Sequence, residues 1–296
     1  MLSRITNSGL ILALCGFAGL SVGDAIIKSM AGHWPGTAIA ALRYTIGAAG
    51  LGLLLWKVEG RQAFHIPMPK AQLLRGSMVA LATVCFFSAI FLMPLAEATA
   101  IQFSSPMITA LLSALFLGER ATKATWLASI IAFAGVIVIL RPNVELLGWA
   151  AFLPLIAAFG MAGVMIGNRQ VASAGSALQM QFLIAVIAAV FLIVAAIAGH
   201  FSGFEPLAVS WPDWTVVARC ALVAVTASFS HSLVYMGTTK ASAAQVAPMV
   251  YVQIVMAMAL GILFFGNWPD ITALGGAGII IAAGIYLWRS KRVGRG

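Results

Sequence analysis

Four charged side chains in this sequence stand inside stretches that are otherwise apolar: Asp24 and Lys28, four residues apart, then Arg43 and Arg219. A carboxylate and cations in low-dielectric surroundings have two uses. They neutralise one another and tie elements together, or they meet the ammonium and carboxylate of a small zwitterion. Residues four apart share a helix face, so Asp24 and Lys28 point the same way. The functional pattern sets Arg43 or Arg219 against a solute carboxylate, with Asp24 facing its amine or a proton. The structural pattern pairs Asp24 with Lys28 or Arg43, while Lys28 and Arg219 snorkel to a polar surface.

Uncharged polar residues form a second pattern. Thr99, Gln102, Pro106, Thr109 and Ser113 recur at the spacing of one helix face, and Ser242, Gln245, Met249, Gln253 and Met256 do so later. Two such faces meeting would line a polar cavity; the other reading is helix–helix glue. Pro106 and Pro248 lie in the middle of these segments, where a proline kinks a helix and makes a hinge. His231 and Tyr235 are four apart beside Ser230, and His231 is either a proton site or a histidine bonded to a neighbour. Tyr44, Phe86, Phe87, Phe103 and Tyr251 supply rings that suit a large apolar-bodied solute as well as ordinary aromatic packing.

The elements carrying these residues belong in a membrane. The chain is 62% hydrophobic and 8% charged, against roughly 25% charged in an average soluble domain, so its surface cannot be covered with charge. Ten apolar segments are long enough to be read as helical spans, at roughly 8–31, 36–56, 72–93, 97–117, 123–140, 147–168, 178–199, 214–236, 241–265 and 271–288. Turn chemistry separates them at His33–Gly36, Ile66–Pro69, Met93–Pro94, Arg141–Asn143, Trp211–Asp213 and Trp268–Asp270. Lipid offers the backbone no hydrogen bonds, and the alternation of a barrel is missing, so the fold class is an all-α membrane protein of ten transmembrane helices.

Basic residues orient the bundle. With both termini in the cytoplasm, all of the seventeen bases except Lys28, Arg43, Arg141 and Arg219 fall on the inner side. Asp24, Lys28, Arg43 and Arg219 then occupy the outer half, Arg43 about 10 Å from the outer end of its span at ~1.5 Å per residue. Arg4 and the apolar stretch after it resemble a signal peptide, but that stretch has a counterpart in mid-chain, which makes it the first span.

The counterpart is part of an internal repeat. Gly16, Gly19, Gly23 and Asp24 recur half a chain later as Gly160, Gly163, Gly167 and Asn168. Leu115–Gly118 recurs as Leu263–Gly266, and Arg141 as Arg289. The chain therefore reads as two repeats, 1–146 and 147–296, of five spans each. An odd number of spans starts the second copy from the opposite membrane face, so the repeats are inverted. That architecture places a solute site at the repeat interface and supports alternating access. The glycine stripes bring backbones close together and would be the surfaces on which the halves slide.

Several classes are excluded. The bases are scattered rather than gathered on a soluble face, which disfavours nucleic acid. Cys15, Cys85 and Cys220 lie within apolar runs without metal or redox spacing and read as small buried hydrophobes. There is no phosphate-binding G-x-x-x-x-G-K-[ST] and no H-E-x-x-H, which leaves no cofactor, no metal and no enzyme.

Some residues also carry a resemblance. Pro94-Leu95-Ala96-Glu97-Ala98-Thr99-Ala100, through Ser105-Pro106 to Leu117-Gly118-Glu119-Arg120, with Leu42-Arg43-Tyr44 in the second span, resembles the EamA repeat of the drug/metabolite transporter superfamily. The second copy departs from it, with Asn267 after its glycine and Ile254 in place of Pro106. Within the superfamily the chain is most similar to YddG-type bacterial aromatic amino-acid exporters. That resemblance implies a multi-pass protein of the bacterial inner membrane exporting amino acids or similar small metabolites. Tyr44, Phe86, Thr99, Gln102, Phe103, Gln245, Met249, Tyr251 and Gln253 are then the expected solute contacts. Asp24, Arg43, His231, Pro106 and Pro248 are the expected coupling or gating residues, with protons as the coupling ion if there is one. The alternatives are transport of another class, such as nucleosides or sugar phosphates, and a channel-like facilitator.

Overall fold

The computed structural model describes residues 2–116, 123–171, 174–240 and 247–293, and among these there is no strand. Eleven α-helices follow one another: α1 (Leu2–Lys28), α2 (Gly36–Glu59), α3 (Pro69–Leu92), α4 (Leu95–Gln102), α5 (Ser105–Phe116), α6 (Lys123–Leu147), α7 (Leu153–Gln170), α8 (Ala177–Phe201), α9 (Trp214–Lys240), α10 (Val252–Phe265) and α11 (Ile271–Val293). Six stretches are long and apolar enough to cross a membrane: Gly9–Lys28, Gly36–Glu59, Pro69–Leu92, Asn143–Asn168, Ala177–His200 and Trp214–Val234. Three shorter apolar helices, Trp126–Leu140, Met249–Phe265 and Ile271–Tyr286, join them. With α4 and α5 laid end to end, the helices account for the ten expected segments.

Local chemistry starts and stops these helices where the sequence indicates. Pro69 opens α3, where a missing N–H costs nothing. Ser176 caps α8 by accepting a hydrogen bond from the Gln179 amide at 3.0 Å. Gly60 and Gly266 end α2 and α10 with positive φ. One expected break moves. The Arg141–Asn143 turn is absent, because α6 continues through Pro142 to Leu147. Pro142 has no N–H for the Val138 carbonyl, and next to it the Asn143 side chain donates to the Ile139 carbonyl at 2.9 Å. The reversal happens instead at Gly148, whose φ of 58° a side chain would resist.

The helices pack mainly in four pairs: α1 with α9, α3 with α7, α2 with α8, and α6 with α11. Glycine sets the closeness of the first two. Gly16 lies against Ser230 and Val234 while Gly23 lies against Val223 and Thr226, so α1 and α9 run antiparallel. A Cβ on Gly16 would stand 2.7 Å from the Ser230 carbonyl oxygen. In the same manner Gly160 faces Met78 and Ala82, and Gly167 faces Arg75.

The outside of the bundle is apolar. Leu53, Ile130, Ile137, Val194, Val225 and Phe229 are exposed, as a lipid-facing surface requires. Trp149, Trp211, Trp214 and Trp268 are exposed near helix ends, where amphipathic rings anchor in headgroups. Cys85 and Cys220 are buried as expected, but Cys15 is exposed. It sits beside Gly16 on α1, and only the glycine face is turned to α9.

Candidate functional site

Arg43 is half-buried in α2, with its guanidinium carbon 4.9 Å from the Tyr44 ring centre and 5.6 Å from that of Phe87 on α3. The quadrupoles of the two rings attract the cation. Among the described residues Arg43 donates no hydrogen bond and has no carboxylate within ion-pair distance. Stacking leaves the N–H fork at the guanidinium edge free. Tyr44 is held in place by its hydroxyl, which donates to Thr83 Oγ1 at 3.2 Å, while Thr83 donates to the Val79 carbonyl at 2.7 Å.

Asp24 on α1 is half-buried and accepts no hydrogen bond from the described residues. Arg43 acts on it electrostatically, and also on Cys220 and on the accessible His231, both on α9. Arg43 on α2 is thus within electrostatic range of an acid on α1 and of a thiol and an imidazole on α9. A carboxylate and a guanidinium that face each other's field without closing into a pair can receive a group that carries both charges.

The other two cations, Lys28 and Arg219, are spent on backbone. Lys28 Nζ donates to the Ile90 and Met93 carbonyls at 2.7 and 2.6 Å, closing the C-terminal end of α3. It lies 5.5 Å from the Phe265 ring centre and close to Glu97, which accepts from Asn143 at 2.6 Å. Arg219 donates to the Ser29 carbonyl at 3.0 Å. Neither pairs with Asp24.

The fourth span is broken. α4 ends at Gln102 and α5 starts at Ser105, one residue before Pro106. Because Pro106 has no N–H, the Gln102 carbonyl loses its helical partner. The Thr99 and Ser104 hydroxyls are buried nearby without any partner. Gln102 is half-buried and Pro106 exposed, so the break rotates the polar stripe: Thr99 is packed while Pro106 is not. The ninth span is also irregular, with a 3-10 turn at Ala247–Tyr251 leading into α10. Phe103 at the first break meets Tyr251 at the second, edge to face at 6.1 Å.

The remaining expected contacts scatter. Phe86 and Phe87 are both buried in the core, and of the two it is Phe87 whose ring lies near Arg43. Met249 packs on Ala13 of α1. Gln253 is buried, and its carbonyl accepts from Ser21 at 3.3 Å. The Tyr251 hydroxyl end abuts Gly284 of α11. Gln245 and the Pro248 side chain lie outside the described residues.

The sequence profile of the EamA-like transporter family matches this chain twice, over residues 7–141 and 148–289. The chain belongs to that family. It is 30% identical over 302 residues to the pseudopaline exporter CntI of Pseudomonas aeruginosa (strain UCBPP-PA14), covering 99% of this chain and 100% of the relative. It is 26% identical to an S-adenosylmethionine uptake transporter of Rickettsia bellii, over 79% of this chain and 77% of that one. A riboflavin transporter of Rhizobium johnstonii is 26% identical over 78% and 74%. A solved crystal structure shares the fold at a TM-score of 0.56 and 19% identity, over 96% of each chain.

As an EamA-like transporter the chain is a multi-pass membrane protein that moves a small molecule, and it is not an enzyme. Two residues at the site escape a reading by sequence. Thr83 gives no signal of its own in an apolar helix, and Ser104 is one of two adjacent serines. Only the proline two positions later marks the break at Ser104.

Proposed function

We propose that this EamA-like protein is a secondary exporter of amino acids or closely similar metabolites with an aromatic or bulky apolar side chain. Arg43 takes the solute carboxylate on its free guanidinium edge, Asp24 faces the amine, and Tyr44 and Phe87 wall the apolar body. The observation that carries this reading is a half-buried guanidinium stacked on two rings with no anion of its own. An unpaired charge in a membrane protein is costly to keep and marks a functional contact. The names of two relatives agree with the class: one exports pseudopaline and another takes up S-adenosylmethionine, a methionine derivative.

The reading includes two inverted five-helix repeats, 1–146 and 147–296, that exchange conformations. The profile matches one region in each half. Packing supports the symmetry, since α1 on α9 and α3 on α7 are the same contact under exchange of the halves, each made by a glycine stripe. Phe103 and Tyr251 are separated by the same interval as Leu115 and Leu263, so the aromatic contact joins equivalent positions. Both termini are placed in the cytoplasm and the protein in the bacterial inner membrane, on the distribution of basic residues.

The experiment is flux into proteoliposomes of radiolabelled Phe, Trp, Leu and Thr, with and without a pH gradient at constant membrane potential. Saturable, competable flux favouring Phe and Trp is expected. A pH-gradient effect identifies proton coupling, and flux that does not saturate marks a facilitator. If none of the four moves, the amino-acid reading fails.

A further inference from the structure

A groove of ≈ 580 Å³ opens between α2 and α8, lined on α2 from Ala48 to Trp56, and its lining side chains are all apolar. Its size falls within the range of small-molecule sites, roughly 300–1,000 Å³. Ala49 and Gly52 keep one wall low, and Phe182 packs where a side chain on Gly52 would lie, 3.0 Å from its Cβ position. Phe64 closes one end against Phe182, ring centres 5.2 Å apart. Leu53 and Trp56 line the groove yet are 60% and 54% exposed, so the protein leaves it open.

The chemistry at that end is asymmetric. Ala49, Leu53 and Lys57 follow one another at four-residue spacing, which sets Lys57 one turn beyond Leu53 on the groove face of α2. Phe64 is the last residue of a 3-10 turn, Arg61–Phe64, in which side chains three apart eclipse, so Arg61 stands over Phe64. Both cations are exposed. The acid nearest them in sequence, Glu59, is turned to Ser176, whose hydroxyl donates to its carboxylate oxygens at 2.7 and 2.8 Å. An apolar slot facing lipid thus ends at two free bases beside an interfacial tryptophan.

We propose that this groove holds an acyl chain of an anionic phospholipid, with Lys57 and Arg61 on the headgroup phosphate. Apolar side chains at depth and bases at the membrane surface match the two ends of such a lipid. A second copy of this chain fits less well, because a two-fold contact here would bring the basic rims together and the groove lining supplies no acid to offset them. The proposal stands independently of which solute is transported.

The test is native mass spectrometry of the detergent-purified protein titrated with phosphatidylglycerol or phosphatidylcholine of identical chains. Wild type is expected to retain phosphatidylglycerol in preference. The double variant Lys57→Gln/Arg61→Gln should weaken that retention about ten-fold or more at unchanged gel-filtration behaviour. Ala49→Trp, which fills the groove from a lipid-facing position, should remove retention of both lipids. Equal retention of the two lipids by wild type, or undiminished phosphatidylglycerol in either variant, overturns the proposal. So does a lipid-free dimer that Ala49→Trp dissociates, which would assign the groove to a second copy.

Discussion

Arg43 and Arg75 both lie within the bundle, and they are treated in opposite ways. Arg75 on α3 is 4% exposed and hydrogen-bonded: Nε donates to Asn168 Oδ1 at 2.7 Å and Nη1 to Gln72 Oε1 at 2.6 Å. Gln72 in turn contacts Met180 Sδ at 3.1 Å. Gly167 makes room, because any side chain there would occupy the Arg75 stem. Arg43 is less buried, lies on aromatic faces and donates to nothing described. One cation is used to tie α3 to α7. The other is held ready, its position fixed by rings and its hydrogen-bonding edge left open. Charge in a membrane protein is therefore not evidence of a solute contact until its donors are accounted for.

The comparison breaks or sharpens through substitution. Arg43→Gln removes the carboxylate contact and is expected to lower kcat/KM for an aromatic amino acid by about 30-fold or more, from a loss of ~2 kcal/mol or greater. Arg43→Lys should recover little, because an ammonium cannot present a planar fork while stacked. Asp24→Asn should cost about ten-fold in affinity, the value of a hydrogen bond to a charged group. It should also abolish any pH dependence of transport; unchanged pH dependence removes Asp24 from coupling. Phe87→Leu weakens the stacking, worth ~0.5–2 kcal/mol, and should raise KM a few-fold with kcat kept, together with a loss of core packing. Arg75→Met should leave KM unchanged and lower stability by ~1–3 kcal/mol, as Asn168 loses its buried donor. A shift in KM with Arg75→Met, read in the same flux assay, would erase the distinction between the two arginines.

Much of this was visible in the sequence. Apolar runs locate the helical segments because lipid leaves the backbone no other way to satisfy itself. The glycine stripes mark the close crossings, and Pro106 marks the break in the fourth span. Other features depend on direction rather than composition. The second half of α3 is mostly apolar, and nothing in its pattern tells that Phe87 rather than Phe86 turns to Arg43. Arg75 near the start of its span looks like another base of the inner surface, and its burial becomes evident only when Gly167 and Asn168 are set opposite. Lys28 and Arg219 have the types expected of ion-pair partners, yet backbone carbonyls exposed at the end of α3 and at Ser29 claim them first. Pro142 signals a turn, but the Asn143 side chain bonds back to Ile139 and the helix runs on.

The central claim is that Arg43 reads a carboxylate. The most direct measurement compares competition by phenylalanine and by phenethylamine, which lacks only the carboxylate, against labelled Phe flux in wild type and Arg43→Gln proteoliposomes. Wild type should prefer phenylalanine strongly, and Arg43→Gln should treat the two compounds nearly alike. If the preference for phenylalanine survives in Arg43→Gln, the carboxylate is bound elsewhere and the account of Arg43 is wrong.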